Sequence, residues 1–269
     1  MPKPFILPKD IPLDQYPGPE VFLAEGKRIV DAARSADITM RVMGPLALHY
    51  YFPEQVDLYA RLERLGERYF TDIDFAAYKK MAGKMKKFME SIGYECDLNT
   101  FMSSGGTRHI YYAGPVPMID VFFEKLNYCH EVNYEGRLGL DEYSVSLSDI
   151  MLQKLQIWEI NDKDLKDIEY LLTTADVGDD DARKINQSYI AKRFADDWSF
   201  WYTATTNFGR VKEHVDKVDA LSPEQKQHIK DRCDHFLARI EAEPKTKGWN
   251  KRAKKGTSKL WYNTGFSDW

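Results

Sequence analysis

Hydrophobic residues recur along this chain with two different periods. Residues 20–36 carry apolar side chains three and four positions apart, which predicts a helix. Between residues 38 and 123, short apolar or alternating runs predict strands at ITMRVM, TDIDF, TRHIYYAG and VPMIDVFF. An amphipathic, basic helix is predicted between them at KKMAGKMKKFMESIG. From about residue 145 the helical period returns and continues to residue 243.

Turn and capping residues set the boundaries of these elements. Gly44 ends the first strand, and Pro45 stands where a helix that runs on from Leu46 would have its first turn. Ser146 is followed three residues later by Asp149, which predicts the N-terminus of a helix. The Ser-Gly-Gly turn at 104–106 predicts a hairpin between YECDLNTFMS and TRHIYYAG.

Together these patterns predict an α/β (α+β) fold, with a mixed-sheet domain followed by a helical domain. Residues 1–19 are rich in proline and are expected to form an extended arm. The mixed-sheet domain is predicted over residues 20–145 and the helical domain over residues 146–243. Residues 244–269 form a basic, aromatic tail that we expect to be loosely ordered.

Composition narrows the classes of protein. A hydrophobic content of 43% supports a packed core, and a net charge of −4 argues against a molecule that binds nucleic acid over its whole surface. The three cysteines show no metal or disulfide spacing, and no run of about 18 apolar residues is present. The N-terminus does not resemble a signal peptide. We therefore expect a soluble cytoplasmic protein without a membrane span; its oligomeric state stays open.

Three aspartates are the strongest chemical signal. Asp72 and Asp74 are two residues apart in RYFTDIDF, so on a strand they project from the same face. Asp120 interrupts the apolar run MIDVFF, where a lone buried carboxylate is costly. If the two strands are neighbours, the three carboxylates form an oxygen-only ligand set that suits Mg²⁺ or Mn²⁺. The alternative is a strand end that carries two solvated acids.

The order of these motifs resembles the nucleotidyltransferase superfamily that includes DNA polymerase β. The matching stretches are MGPLA, RYFTDIDF and IDVFF. The later helices LSDIMLQKLQI and NDKDLKDIEYLL look like a region of the AbiEii-like group, a family of bacterial toxin nucleotidyltransferases of toxin–antitoxin systems. The resemblance covers residues 38–172 and implies transfer of a nucleoside monophosphate from an NTP to a hydroxyl of an RNA, a protein or a small molecule.

The resemblance also implies roles for individual residues. Asp72 and Asp74 would bind two Mg²⁺ ions and the nucleotide phosphates. Asp120 would bind the catalytic metal and help to deprotonate the acceptor hydroxyl. Gly44 would let the backbone approach the β- and γ-phosphates, and Lys154 would contact the nucleotide.

Pro45 departs from the family pattern, which has glycine or serine there. Proline has no N–H for a phosphate, although the next amides of a helix N-terminus can still bind an anion. Arg68, four residues before Asp72, is a candidate clamp for the triphosphate or else part of a charged surface loop that also holds Arg61 and Arg64. Two alternatives stay open: a weak or inactive member that binds nucleotide or RNA, and a protein whose helical half binds a partner.

The C-terminal tail has two interpretations. Seven basic residues and no acid occur from Lys245 to Lys259, and Trp249, Trp261 and Tyr262 lie among or just after them. Basic charge with interleaved aromatic rings is typical of a surface for single-stranded RNA or tRNA. The same residues also fit a solvated tail whose rings anchor it to the core.

Overall fold

The structure is a computed structural model that describes residues 5–66 and 68–264. The first four residues of the predicted arm, Glu67 and the last five residues of the predicted tail lie outside the described residues. The helices are α1 (Pro19–Ser35), α2 (Gly44–Tyr51), α3 (Val56–Arg61), α4 (Ala82–Ser91), α5 (Leu98–Ser103), α6 (Leu147–Leu155), α7 (Asp162–Thr174), α8 (Gln187–Asp196), α9 (Trp198–His214), α10 (Pro223–Ala242) and α11 (Lys247–Ala253). The strands are β1 (Met40–Val42), β2 (Ile73–Ala77), β3 (Glu95–Cys96), β4 (Arg108–Tyr112), β5 (Ile119–Phe123), β6 (Lys125–Asn127), β7 (Glu131–Asn133), β8 (Asp176–Gly178) and β9 (Lys184–Asn186).

Contacts along the chain divide it into two compact units. The first, called the sheet unit, takes Met1–Glu54, Leu65–Leu126 and Asn133–Val145. The second, called the helical unit, takes Gln55–Arg64, Asn127–Val132 and Ser146–Trp269. Among the helices of residues 5–66 and 68–264, none combines the length and the apolar character needed to span a membrane.

The sheet unit is built on a mixed five-stranded sheet in the order β1-β2-β5-β4-β3. β2 and β5 are parallel, whereas β1 runs antiparallel to β2 and β4 antiparallel to β5. The four longest of these strands lie where the hydrophobic pattern predicts them, and the mixed sheet is confirmed. Alternation gives the sheet two faces: Ile73 and Phe75 of β2 are fully buried on one, and Asp74 lies between them in sequence and points to the other.

The predicted hairpin around residues 104–106 is wrong in its first half. Only Glu95–Cys96 form a strand, and Leu98–Ser103 form α5 instead. The Asp97 carboxylate accepts hydrogen bonds from the Asn99 amide (3.0 Å) and the Thr100 hydroxyl (2.9 Å), so it caps the helix that the alternating pattern concealed. β3 still pairs antiparallel with β4, as a hairpin would.

The helical unit follows its capping residues closely. The Ser146 hydroxyl accepts from the Asp149 amide (3.2 Å) at the start of α6, as predicted. Ser222 forms a capping box with Gln225 at the start of the 20-residue α10. Two regions expected to be irregular contain helix. α3 ends at Arg61, within the segment considered as a charged surface loop, and α11 lies within the tail that we expected to be loosely ordered.

Candidate functional site

Two of the three predicted aspartates are direct neighbours across β2 and β5. Asp74 is the register partner of Asp120 in this parallel pair, so their side chains leave the same face of the sheet. Asp72 immediately precedes β2 and lies two positions before Asp74. Asp120 is only 2% exposed, whereas Asp72 and Asp74 are half-buried. We call the three residues the aspartate set: Asp74 and Asp120 project from adjacent strands, as the sequence predicts if these strands pair, and the charge of Asp72 acts on Asp120.

Arg108 is the counter-ion of the innermost aspartate, and the sequence analysis missed it. It lies on β4, two residues from the register partner of Asp120, so alternation brings it to the same face. The Arg108 Nε donates to Asp120 Oδ1 and Oδ2 at 3.0 and 2.9 Å, and Nη2 donates to Oδ2 at 2.5 Å. The spacing of residues 108, 110 and 112 would have indicated this face if the pairing of β4 with β5 had been known.

Burial dominates the protonation of Asp120. It raises the pKa of this carboxyl to about 6, against the lowering effect of the hydrogen-bonded Arg108 guanidinium. The nearby negative charge of Asp72 raises the pKa of Asp120 further. The face therefore carries a buried carboxyl whose pKa lies just below neutral pH.

A glycine turn closes against Asp74. Gly44 opens α2 with φ +67°, in the left-handed region that glycine adopts at little cost. The preceding Met43 amide donates to the Asp74 carbonyl at 2.9 Å. A Cβ atom on Gly44 would lie 3.4 Å from Asp74 Oδ2, so the backbone approaches this carboxylate closely. Pro45 lies in the first turn of α2, as predicted.

Arg68 has contacts that tie down the N-terminal arm. Its Nη2 donates to the carbonyls of Ile11 (3.0 Å) and Lys9 (3.3 Å), and its guanidinium stacks over the ring of Tyr16 at 5.1 Å. Tyr16 in turn donates its hydroxyl to the Thr71 carbonyl at 3.3 Å. Burial and the charge of Asp72 raise the pKa of Tyr16 to about 12, so this hydroxyl is a second neighbour of the aspartate set that the sequence analysis missed. The nucleotide contact expected for Arg68 stays a prediction.

Lys154 belongs to the helical unit, where it forms a buried ion cluster with Arg64, Asp164 and Asp167. Lys154 Nζ lies 2.7 Å from Asp164 Oδ1 and 2.8 Å from Asp167 Oδ2. Arg64 Nε lies 2.7 Å from Asp167 Oδ1, and the Asp167 side chain is fully buried. Burial acts to lower the pKa of Lys154, but the two carboxylates hold it above its usual value. The role of Lys154 toward a nucleotide remains a prediction beside this observed one.

The aspartate set fits a divalent metal in part. The carboxylates of Asp72 and Asp74 have the ligand chemistry that Mg²⁺ and Mn²⁺ prefer. Both oxygens of Asp120, however, accept hydrogen bonds from Arg108. Over residues 5–66 and 68–264, no group of three or more His, Cys, Asp or Glu side chains is arranged to hold a metal ion. In a three-carboxylate metal site, the cation would therefore share Asp120 with the Arg108 guanidinium.

Comparisons with known proteins leave the family unassigned. No family model matches the chain, and no curated protein shows a significant match. The solution structure of the antibiotic-resistance factor ANT(2'')-Ia is similar over 82% of this chain and 95% of its own, with 13% identity and a TM-score of 0.31. A likeness of this size carries no argument about family or activity, so the function of this chain has to be inferred from the geometry of its own residues.

Proposed function

We propose that this protein transfers a nucleoside monophosphate from an NTP to a hydroxyl group, with Mg²⁺ or Mn²⁺. The observation that carries the proposal is the register of Asp74 with Asp120 on parallel strands, with the Gly44 turn closed against Asp74. Adjacent carboxylates beside a close-approaching backbone turn are what a metal–triphosphate needs: anionic ligands for the cation, and space and amides for the phosphates.

In this proposal, Asp72 and Asp74 hold the divalent cation. A bound cation would neutralise the phosphates and align the α-phosphate with its attacker. The first amides of α2 receive phosphate oxygens, although Pro45 supplies none. Gly44 allows the positive φ of this turn and leaves the space beside the Asp74 carboxylate free of a side chain.

At the α-phosphorus, the reaction forms one bond and breaks one. The acceptor oxygen attacks the α-phosphorus, the bond to the oxygen that bridges the α- and β-phosphates breaks, and pyrophosphate leaves with the electron pair. The hydroxyl proton goes to a base. Asp120 is suited to this role because its pKa is raised to about 6, close to neutral pH. Oδ1 of Asp120 accepts one hydrogen bond from Arg108 and keeps a lone pair that could accept the proton.

One further contact belongs to the proposal. Arg68 would bind the triphosphate and would then exchange its present carbonyl partners for phosphate oxygens. The acceptor is a hydroxyl of an RNA, a protein or a small molecule.

The direct test is transfer of label from the nucleotide. The full-length protein is incubated with Mg²⁺ and each NTP in turn, labelled at the α- or the γ-phosphate, with total RNA, with protein and with small polyols. Transfer of the α-label but not the γ-label, lost in Asp74→Asn, supports nucleotidyl transfer. Transfer of the γ-label would identify a kinase instead, and equal α-labelling by Asp74→Asn would remove Asp74 from the site.

A second candidate function is nucleotide binding without turnover. The observation that favours it is the guanidinium of Arg108, which occupies both oxygens of the one carboxyl suited to act as a base. Melting temperatures measured with each NTP, with and without Mg²⁺, separate the candidates, since a ligand that binds the folded state raises the melting temperature. A Mg²⁺-dependent rise with no transfer of α-label supports the second candidate. Without any rise or transfer, both candidates fail, and the partner-binding alternative takes their place.

A further inference from the structure

The exposed charged side chains of one segment of the helical unit have a single sign. Lys247, Lys251, Lys254, Lys255 and Lys259 are all exposed, and we call them the lysine surface. The segment from residue 244 to 264 contains no aspartate or glutamate. Within the part of the chain that the structure describes, none of the five lysines forms an ion pair.

Two other lysines of the helical unit are paired with acids. Lys212 lies 2.5 Å from Asp234 and Lys230 lies 2.6 Å from Asp216, so each is matched by an acid. The chain has a net charge of −4, and Lys245 to Lys259 contribute +7, so the remainder carries −11. The lysine surface is therefore a concentrated positive region on an otherwise acidic molecule, where unpaired ammonium groups repel one another unless an anion covers them.

The segment that presents these lysines is folded. Thr246 donates its amide to the Ala195 carbonyl at 3.0 Å and caps α11 by accepting from the Trp249 amide at 3.2 Å. The Arg252 guanidinium stacks over the ring of Trp198 at 4.6 Å and donates to the carbonyls of Gly256 (2.9 Å) and Lys259 (3.0 Å). The backbone of the lysine surface is thus held before any ligand arrives, which lowers the entropy lost on binding.

The aromatic rings of the segment face the protein. Trp249 packs edge-on to Trp201 at 5.2 Å between ring centroids, and its indole nitrogen is buried. Trp261 lies 5.2 Å from Tyr202 in the same manner and donates its indole N–H to the Thr203 hydroxyl at 3.2 Å. The rings therefore anchor the segment, as the second interpretation of the tail predicts, and are not presented as a platform for bases.

We propose that the lysine surface binds the phosphodiester backbone of a nucleic acid and does not read its bases. Five ammonium groups on a pre-folded support suit closely spaced phosphates, and the inward rings leave backbone charge as the source of affinity. An anionic membrane fits less well, because among residues 244–264 Leu260 is the one large hydrophobic side chain that is exposed, at 58%. This inference rests on the helical unit alone and does not depend on nucleotidyl transfer.

The test compares two variants with the same loss of charge. In the first, Lys251, Lys254 and Lys255 of the lysine surface become glutamine. In the matched control, the exposed Lys80, Lys87 and Lys217 become glutamine. Binding of the full-length proteins is measured by fluorescence anisotropy over a series of KCl concentrations. The probes are a mixed-sequence single-stranded RNA, an RNA duplex and a DNA strand of the same length, together with vesicles that contain phosphatidylserine.

Wild type is expected to bind the nucleic acids with an affinity that falls linearly on a log–log plot against salt. Each lysine–phosphate contact contributes about 0.7 to that slope on a single strand, so the surface variant should lose about 2 units of slope and at least about tenfold in affinity. The control should stay within about twofold of wild type. Circular dichroism and melting temperature check that both variants are folded.

Four results would overturn the inference. One is a wild type that binds no nucleic acid at low salt, and another is an equal loss of affinity in both variants, which would reveal a net-charge effect. A third is a wild type that binds the vesicles and not the nucleic acids. The fourth is a strong preference among homopolymers that Trp249→Ala abolishes, which would show that bases are read. A difference between the RNA and DNA arms, with the surface variant still impaired, supports the inference and identifies the preferred backbone.

Discussion

Two groups of charged side chains in this protein have similar composition and different settings. The aspartate set on the sheet unit has three carboxylates and one arginine, and two of its acids are half-buried. The buried ion cluster of the helical unit has two carboxylates and two cations, with side chains exposed by 10% or less. The second group is neutral and closed, as charges buried for structure must be. The first has two acids with access to solvent and one carboxyl with a raised pKa, which leaves it able to bind a cation or a proton.

The two groups differ in the number of cations beside an acid and in exposure to solvent. These properties, rather than the number of acids, distinguish the candidate site from the structural ion cluster. Asp167 lies between two cations and faces no solvent. Asp120 has one cation, feels the charge of Asp72, and has its pKa raised to about 6. Substitutions in the two groups should therefore affect different quantities: activity at the aspartate set and stability in the buried ion cluster.

The largest effect is expected for Asp72→Asn. Loss of a carboxylate that holds the divalent cation removes several kcal/mol of transition-state stabilisation, so α-label transfer should fall by about 10³-fold. The free energy of unfolding, measured with urea, should change by no more than about 0.5 kcal/mol, because Asp72 is half-buried beside other acids. Retention of transfer would show that Asp72 does not hold the cation, and the aspartate set would then no longer be assigned as the active site.

Asp164→Asn should give the opposite result. Burial acts to raise the pKa of Asp164, but the charge and hydrogen bond of Lys154 hold it below its usual value. A lowered pKa means that the carboxylate stabilises the fold above its ordinary pKa and loses this contribution as the pH falls through the lowered value. The variant should lose about 3 kcal/mol of unfolding free energy at neutral pH and less in acid, while transfer per folded molecule is retained. Loss of transfer with an unchanged free energy of unfolding would instead assign the buried ion cluster a role in the reaction.

Arg108→Gln tests whether the counter-ion of Asp120 controls how the stability of the protein depends on pH. Without the guanidinium, the buried Asp120 carboxylate has no counter-ion, and its pKa rises above the present value of about 6. Since a raised pKa makes the ionised form costly in the folded state, stability should fall as the pH rises through the pKa. We expect a loss of about 2 kcal/mol at alkaline pH and a smaller loss at acidic pH, measured by urea unfolding. Arg108→Lys keeps the positive charge, so its unfolding free energy should lie between those of wild type and Arg108→Gln. A loss of stability in Arg108→Gln that does not vary with pH would contradict this account.

The smallest effect is expected at the glycine turn. Gly44→Ala places a side chain where φ is +67° and 3.4 Å from Asp74 Oδ2, so it should cost about 1 to 2 kcal/mol of stability and weaken NTP binding. The matched control is Gly83→Ala in α4, where nothing lies within 4 Å of the new methyl group. That change should stabilise the protein by about 0.5 kcal/mol, since alanine favours a helix. Similar effects of both changes on NTP binding would separate Gly44 from the nucleotide.

Local features of the sequence determined much of this protein. Side-chain alternation assigned Asp72 and Asp74 to one face of a strand before any fold was known, and caps such as Ser146 set helix starts, because both depend on neighbours a few residues away. The same local view failed at Asp97, whose capping carboxylate outweighs an alternating pattern.

Only the tertiary structure decided which charged residues, distant in sequence, lie next to one another. The register of β2 with β5 brings Asp120 to Asp74, and the pairing of β4 with β5 brings Arg108 to Asp120. Tertiary packing also places Lys154 beside two aspartates. In the tail, it packs the tryptophan rings against the helical unit and leaves the lysines exposed. The physical reason is that strand order and burial are set by packing over the whole chain, whereas the energy of a charge depends on what that packing places within a few ångströms of it.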